Sequence, residues 1–161
     1  MLPKVYVETS VISYLTAWES RDVVVLGKQA ATKDWWATCR DRFELFASNL
    51  VVSEAGEGDV DAAEERVNLL MTVTLLPVTA AIENLIVRLL LAKAIPSIAP
   101  EDAAHVAIAA VHGMDYLVTW NFRHINNASK REHIEQVCRE AGFTAPKICT
   151  PEGLKEIENE D

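Results

Sequence analysis

The sequence has little cysteine, and what it has forms no recognisable framework. Cys39, Cys138 and Cys149 are odd in number and show no CxxC spacing. This usage argues against a disulfide scaffold and against a zinc site. It fits instead three thiols that pack as small core residues in a protein from a reducing compartment.

The sequence also lacks a long apolar run without interruption. The longest candidate, residues 82–95, contains Glu83, Arg88 and Lys93, so a buried helix is expected there rather than a membrane span. Residues 1–4 lead directly into a strand pattern, without the basic region and apolar core of a signal peptide. A cytoplasmic location is therefore the expectation.

Positive charge is in the minority, with 15 Lys and Arg against 24 Asp and Glu and a formal net charge of −9. This balance argues against broad binding of nucleic acid through a basic surface. It leaves room for a nuclease, because a metal ion and a local basic rim can offset the repulsion. Arg123–His124 and Lys130–Arg131 are two candidate rims.

The chain is long enough for one substantial core, with 161 residues of which 50% are hydrophobic. A single domain is expected over residues 1–151. Much of the acidity lies in residues 54–65 and in residues 152–161. We expect the first stretch to be a solvated face and the second to be an acidic C-terminal tail.

Strand patterns alternate with helical patterns along the chain. Strands are expected at residues 4–7, 43–47, 72–78, 116–119 and 147–149. Helices are expected from residue 9 to 15 or 18, capped by Thr9 or Ser10, and at residues 23–40, 51–55, 60–70, 80–93, 100–113 and 129–141. This alternation predicts an α/β protein with a mostly parallel central sheet between two layers of helices.

Two side-chain assignments accompany these helices. Thr79 is expected to cap the helix at 80–93. In the helix at 23–40, Leu26, Ala30 and Trp36 are expected on the apolar side.

Three isolated acids and one amide lie where apolar segments end. Glu8 follows the first strand, Glu54 follows residues 50–53, Asn121 follows residues 116–120, and Asp102 opens an Ala-rich helix. In an open α/β sheet, the carboxyl ends of strands and the adjacent helix starts meet in one crevice. The four side chains are therefore expected to share a site.

A cluster of acids requires a cation. Two carboxylates about 4 Å apart repel by roughly 4 kcal/mol at an effective dielectric constant near 20. Oxygen ligands without a suitable Cys and His set favour Mg²⁺ or Mn²⁺ over zinc. Such an ion can polarise a phosphate oxygen and activate a water molecule, so a phosphodiester is a candidate substrate.

Each acid also has an ordinary explanation. Asp102 and its neighbour Glu101 could simply stabilise a helix N-terminus. Glu8 could be a surface loop residue, although a charge directly after a buried strand is costly without a partner. For Glu54, the acidic stretch that follows makes a solvated face as plausible as a site.

The order and placement of these motifs resemble the PIN domain family, and within it the VapC-type toxins of bacterial toxin–antitoxin pairs. The resemblance covers residues 5 to about 151 and rests on the runs VYVETSVI at 5–12, SE at 53–54, PEDAAHVA at 100–107 and YLVTWNF at 116–122. It implies a three-layer α/β/α fold and a metal-dependent endoribonuclease that hydrolyses RNA with Mg²⁺ or Mn²⁺. It also implies a cognate antitoxin protein and a homodimer.

The same resemblance assigns roles to the site residues. Glu8, Asp102 and the position of Asn121 would bind the metal, and Glu54 would orient a metal-bound water. Thr9, Ser10 and Thr119 would support these ligands by hydrogen bonds.

Two positions depart from the family pattern. Glu8 stands where an Asp is usual, which changes the reach but keeps the charge. Asn121 also stands where an Asp is usual, which removes one charge and predicts weaker metal affinity. The alternative is therefore a catalytically weakened or inactive PIN-fold binding module. Asp115, the nearest other carboxylate, precedes its strand and is expected at the opposite end of the sheet.

The four histidines are candidates for a general acid or base. His105 could share a face with Asp102, although a packing role is the more common one. Arg123 and His124 follow Asn121 closely enough to contact a substrate phosphate, and an ordinary surface pair is equally plausible. His112 suits a helix C-terminus, and His133 an exposed helix position.

Four tryptophans could stack on unpaired bases, although packing is their more common use. They are Trp18, Trp35, Trp36 and Trp120. Trp35 and Trp36 are adjacent on one helix, so both cannot point inward, and one of them is a candidate for a partner surface.

Overall fold

A computed structural model describes residues 1–157 as alternating strands and helices. The strands are β1 (Lys4–Val7), β2 (Glu44–Ser48), β3 (Thr74–Leu76), β4 (Tyr116–Val118) and β5 (Lys147–Cys149). The helices are α1 (Thr9–Thr16), α2 (Val23–Cys39), α3 (Asn49–Ala55), α4 (Val60–Leu70), α5 (Ala80–Leu91), α6 (Pro100–Val111), α7 (Arg131–Glu140) and α8 (Pro151–Ile157), with a short 3₁₀ turn at Arg40–Arg42. Thr79 caps α5 as expected, because its side chain accepts a hydrogen bond from Ile82 N.

The five strands form one entirely parallel sheet in the order β3-β2-β1-β4-β5. This arrangement confirms the α/β class, the three-layer α/β/α architecture and the mostly parallel sheet. The chain winds outward from β1 through β2 to β3 and then crosses to β4 and β5 on the other side of β1. The winding direction therefore reverses between β1 and β4, and ligands bind at such a switch point in open α/β sheets.

The central strand and the Ala-rich helix supply the middle of the core. Val5, Tyr6 and Val7 of β1 are all fully buried, as is expected for a parallel strand that is covered by helices on both faces. In α6, Ala103 and Ala107 are also fully buried, and their small side chains permit close packing. This helix therefore holds its N-terminus, and with it Asp102, in a fixed position near the sheet.

The buried face of α2 differs from the expected one. Leu26 and Ala30 are exposed, so the prediction that they lie on the apolar side is wrong. Gln29, Thr32 and Trp35 are buried instead. The two polar side chains are satisfied there by hydrogen bonds. Thr32 Oγ1 accepts from Trp120 Nε1 at 2.7 Å, and Gln29 Nε2 donates to the carbonyl oxygen of Trp18 at 2.9 Å.

The C-terminal segment is partly helical. Residues 152–157, within the expected acidic tail, belong to α8, which contacts α2. Leu154 of that helix is fully buried. Residues 158–161 of the expected tail lie outside the described residues. Within residues 1–157, no helix combines the length and the apolar character that crossing a membrane requires.

Candidate functional site

Glu8 lies at the carboxyl end of β1 and is only 6% exposed. Its side chain caps α1, so the prediction that Thr9 or Ser10 caps this helix is wrong. Oε2 accepts a hydrogen bond from Ser10 N at 3.0 Å, and Oε1 accepts from Ser10 Oγ at 2.6 Å and from Thr119 Oγ1 at 2.5 Å. These charge-assisted bonds offset the cost of burying the carboxylate.

The turn after β4 lies beside Glu8. Ser10 Oγ accepts a hydrogen bond from Trp120 N at 2.8 Å, and Thr119 Oγ1 accepts from Asn121 N at 2.9 Å. Asn121 Oδ1 in turn accepts from His124 N at 3.0 Å. The side-chain amide of Asn121 therefore stabilises a turn, a use that it shares with many Asn residues in loops.

Asp102 lies in the first turn of α6, where a carboxylate is favoured by the helix dipole. Its Oδ2 is 2.8 Å from His124 Nδ1, and the two side chains are 19% and 16% exposed. Oδ1 accepts no hydrogen bond from any residue in the described range 1–157. Asp102 therefore keeps one oxygen available to a ligand.

Glu54 lies on α3, which directly follows β2. Its Oε1 accepts hydrogen bonds from Thr9 Oγ1 at 2.8 Å and from His105 Nε2 at 2.6 Å. Burial acts to raise the pKa of Glu54, but the hydrogen bonds from His105 and Thr9 outweigh it and hold the pKa below its ordinary value of 4.5. Glu54 is therefore ionised at neutral pH.

Two residues that the sequence did not single out, Tyr6 and Ser48, complete this part of the site. Tyr6 Oη lies 2.7 Å from His105 Nδ1 and 2.8 Å from Ser48 Oγ. Burial raises the pKa of the Tyr6 hydroxyl, so Tyr6 keeps its proton. The two residues lie near the carboxyl ends of the neighbouring strands β1 and β2, but no local pattern pairs Tyr6 with a histidine 99 positions away.

The four sequence-predicted residues lie at the switch point in two hydrogen-bonded groups, which the peptide bond between Glu8 and Thr9 connects. One branch leads from Glu8 through Thr119 and Asn121 to His124 and Asp102. A second branch starts at Thr9, the neighbour of Glu8, and leads through Glu54 to His105. The proposed supporting residues Thr9, Ser10 and Thr119 thus all bond to the predicted acids.

Other predicted residues lie further from these bonds. Arg123 is exposed and makes no side-chain hydrogen bond within residues 1–157. His112 ends α6, as expected, and its Nε2 lies 2.7 Å from the carbonyl oxygen of Pro77. Asp115 lies at the opposite sheet edge, as expected, where it accepts a hydrogen bond from Lys4 N at 2.8 Å. His133 is half-buried on α7, not exposed.

The aromatic residues near the site are mostly packed. Trp120 is 9% exposed, and its Nε1 is bonded to Thr32, so its ring is not free to stack on a base. Phe122 is 46% exposed, with Lys28 Nζ 5.1 Å from its ring centroid. Of the adjacent pair on α2, Trp35 is buried and Trp36 is half-buried.

The donor chemistry suits a hard divalent cation. Carboxylate and amide oxygens are the preferred ligands of Mg²⁺, which often uses only one or two protein carboxylates. Asp102 has one oxygen without a hydrogen bond, and Oε2 of Glu8 accepts a single hydrogen bond and keeps a second lone pair, whereas Oε1 already accepts two. Among residues 1–157, however, no three side chains of His, Cys, Asp or Glu are already gathered as a metal site.

Comparisons of the chain with protein families, with curated proteins and with solved structures found no match.

Proposed function

We propose that this protein is a metal-dependent endoribonuclease of the PIN type that hydrolyses RNA phosphodiester bonds. One observation supports the proposal above all others. Glu8, Glu54, Asp102 and Asn121 come from four separate segments, yet they lie together at the sheet edge where ligands bind in this class of fold. Hydrogen bonds lead from Glu8 through Asn121 to Asp102, and Glu54 accepts a hydrogen bond from Thr9, the neighbour of Glu8.

In this proposal, Asp102 and Glu8 hold Mg²⁺ or Mn²⁺. The ion, when bound, polarises a phosphate oxygen and lowers the pKa of a water molecule. Ser10 and Thr119 fix the carboxylate of Glu8. Glu54, ionised at neutral pH, accepts a hydrogen bond from the attacking water, and Arg123 on the exposed turn contacts a substrate phosphate.

A second candidate function is a PIN-fold binding or interaction module without catalysis. The observation that favours it is the use of Asn121, whose side-chain oxygen already accepts a hydrogen bond from His124 N. That oxygen is the atom that would replace the missing carboxylate as a ligand.

The first experiment measures RNA cleavage with Mg²⁺ or Mn²⁺ by the wild type and by Asp102→Asn. Loss of a metal ligand is expected to lower kcat about 1000-fold, which corresponds to about 4 kcal/mol of transition-state stabilisation. Asp115→Asn is the matched control, since Asp115 lies at the opposite sheet edge and should leave cleavage unchanged. A wild type that cuts no RNA with either ion, or an Asp102→Asn variant that cuts as fast, contradicts the enzyme proposal.

The second experiment separates the two candidates by calorimetric titration with Mn²⁺. Binding to the wild type that Asp102→Asn abolishes supports the enzyme. No binding to the wild type, with binding restored in Asn121→Asp, supports the interaction module, because the substitution returns the charge that the family pattern has at this position.

The biological setting proposed from the resemblance is a cytoplasmic toxin that forms a homodimer and is neutralised by an antitoxin. An adjacent short reading frame that encodes a DNA-binding protein with a flexible tail would support the toxin role. Its absence would count against the toxin role and leave the nuclease proposal standing.

A further inference from the structure

A continuous chain of side-chain hydrogen bonds runs from the core to the proposed site. Ser48 Oγ is 2.8 Å from Tyr6 Oη, Tyr6 Oη is 2.7 Å from His105 Nδ1, and His105 Nε2 is 2.6 Å from Glu54 Oε1. Ser48, Tyr6 and His105 are fully buried. Glu54 is 29% exposed at its side chain and is the point where the chain reaches solvent.

The positions of the protons follow from the partners that each group has. Ser48 Oγ accepts from Val51 N, so its own proton has only Tyr6 Oη as an acceptor within residues 1–157. Tyr6 therefore donates to His105 Nδ1, and the ring carries its proton on Nε2, which donates to the Glu54 carboxylate. The reverse direction would leave the buried Ser48 hydroxyl without an acceptor, which is costly.

We propose that His105 is a positioning residue that holds Glu54 for the hydrolytic reaction, with Tyr6 fixing the imidazole tautomer. The inference rests on the proposed nuclease function, because Glu54 acts on water only in that reaction. The proposal assigns His105 no contact with RNA or with the metal, and it is distinct from a direct acid–base role.

The pattern of bonds at Glu54 supports this role. His105 and Thr9 both donate to Oε1, which fixes the carboxylate from two sides. Oε2 accepts no hydrogen bond from residues 1–157, so it remains available for a further donor such as water. A histidine that only filled space in the core would not need a carboxylate partner on one nitrogen and a hydroxyl partner on the other.

The test compares two isosteric substitutions that each keep one half of the imidazole. In His105→Gln, the amide nitrogen reaches about as far as Nε2 and keeps the donor to Glu54. In His105→Asn, the shorter amide corresponds to Nδ1 and loses that donor. We expect His105→Asn to lower kcat for RNA cleavage about 10- to 100-fold with KM little changed, and His105→Gln to stay within about 3-fold of the wild type.

A second readout does not depend on nuclease activity. In the wild type, nitrogen-15 NMR of the imidazole should show His105 at pH 7 as the neutral ring protonated on Nε2, and Tyr6→Phe should weaken that preference. Carbon-13 NMR titration of the Glu54 carboxyl should show a higher pKa in His105→Asn than in His105→Gln.

The outcomes separate the two proposals. Equal loss of kcat in both variants, or a wild-type ring protonated on Nδ1, would overturn the positioning role. If the wild type cuts no RNA, the nuclease proposal fails, and the tautomer and the Glu54 titration alone decide whether His105 holds that carboxylate. If neither variant folds, the wild-type tautomer still decides.

Discussion

Two histidine–carboxylate pairs flank the switch point, and they are built differently. His105 lies on α6, is fully buried, and bonds to Glu54 at 2.6 Å through Nε2. His124 lies on the turn after β4, is 16% exposed, and bonds to Asp102 at 2.8 Å through Nδ1. The second nitrogen of His105 is bonded to Tyr6, whereas that of His124 has no side-chain or backbone partner within residues 1–157.

This difference indicates that the Glu54 carboxylate is held in place, whereas the Asp102 carboxylate can change its hydrogen-bond partner. His105 is fully buried with both ring nitrogens hydrogen-bonded, and such a buried, satisfied group is rigid and costly to disturb. His124 lies on a turn and has a second nitrogen without a partner in residues 1–157, so water can replace Asp102 as its partner and breaking this pair costs little. Glu54 is therefore held in one geometry, and Asp102 can exchange His124 for another ligand.

The largest difference expected between the two pairs is in their contribution to the free energy of unfolding. His105→Ala should lower the free energy of unfolding by about 3 kcal/mol, because it creates a cavity and leaves the Tyr6 hydroxyl without its acceptor. His124→Ala should cost about 1 kcal/mol or less. Urea unfolding of both variants measures the difference.

His133→Ala, at a half-buried histidine without a hydrogen bond to residues 1–157, is the control. Equal losses at 105 and 124 would contradict the distinction.

A smaller effect on stability is expected at Ser10, which bonds to Glu8 and to the backbone at the start of the turn that carries His124. Ser10 Oγ donates to Glu8 and accepts from Trp120 N, so Ser10→Ala leaves a buried carboxylate and a backbone N–H each one partner short. The expected cost is about 1 to 2 kcal/mol in the same urea experiment. Ser13→Ala on the same helix is the matched control, because the Ser13 hydroxyl makes no hydrogen bond within residues 1–157. A Ser10→Ala variant as stable as this control would show that Ser10 holds neither partner.

The five strands were predictable from the sequence to within two residues at each end, and so was the edge of the sheet where Glu8, Glu54, Asp102 and Asn121 lie. A parallel sheet places the carboxyl ends of its strands together, so local patterns are enough to gather these residues. The same reasoning placed Asp115 at the opposite edge, where the structure has it.

The partners of these residues were not predictable in the same way. The contact of Tyr6 with His105 joins positions that no periodicity relates, and it depends on how α6 packs on the sheet. The predicted buried face of α2 was wrong for a similar reason, since buried Gln29 and Thr32 bond to Trp18 and Trp120, which lie outside the helix. The positions of apolar residues suggested which face of α2 is buried, whereas contacts with other parts of the fold determine the face that is actually buried.

The smallest expected effect concerns the His105–Glu54 pair and is a dependence of the free energy of unfolding on pH. The pKa of Glu54 is lower in the folded protein than its ordinary value of 4.5, because the hydrogen bonds from His105 and Thr9 outweigh burial. A lowered folded-state pKa contributes stability that is present above the unfolded value and is lost as pH falls through the folded value. The wild type should therefore lose stability from about pH 4.5 downward, and Glu54→Gln should lose less over that range.

The measurement is the urea midpoint of each protein between neutral pH and the acid limit of folding. Glu57→Gln is the control, because Glu57 is an exposed acid of the same charge just after α3. If Glu54→Gln and Glu57→Gln share the acid dependence of the wild type, the bonds from His105 and Thr9 do not favour the ionised form of Glu54. The His105–Glu54 pair would then differ from the His124–Asp102 pair in packing alone. An electrostatic difference requires that the pKa of Glu54 be lower in the folded protein than in the unfolded one.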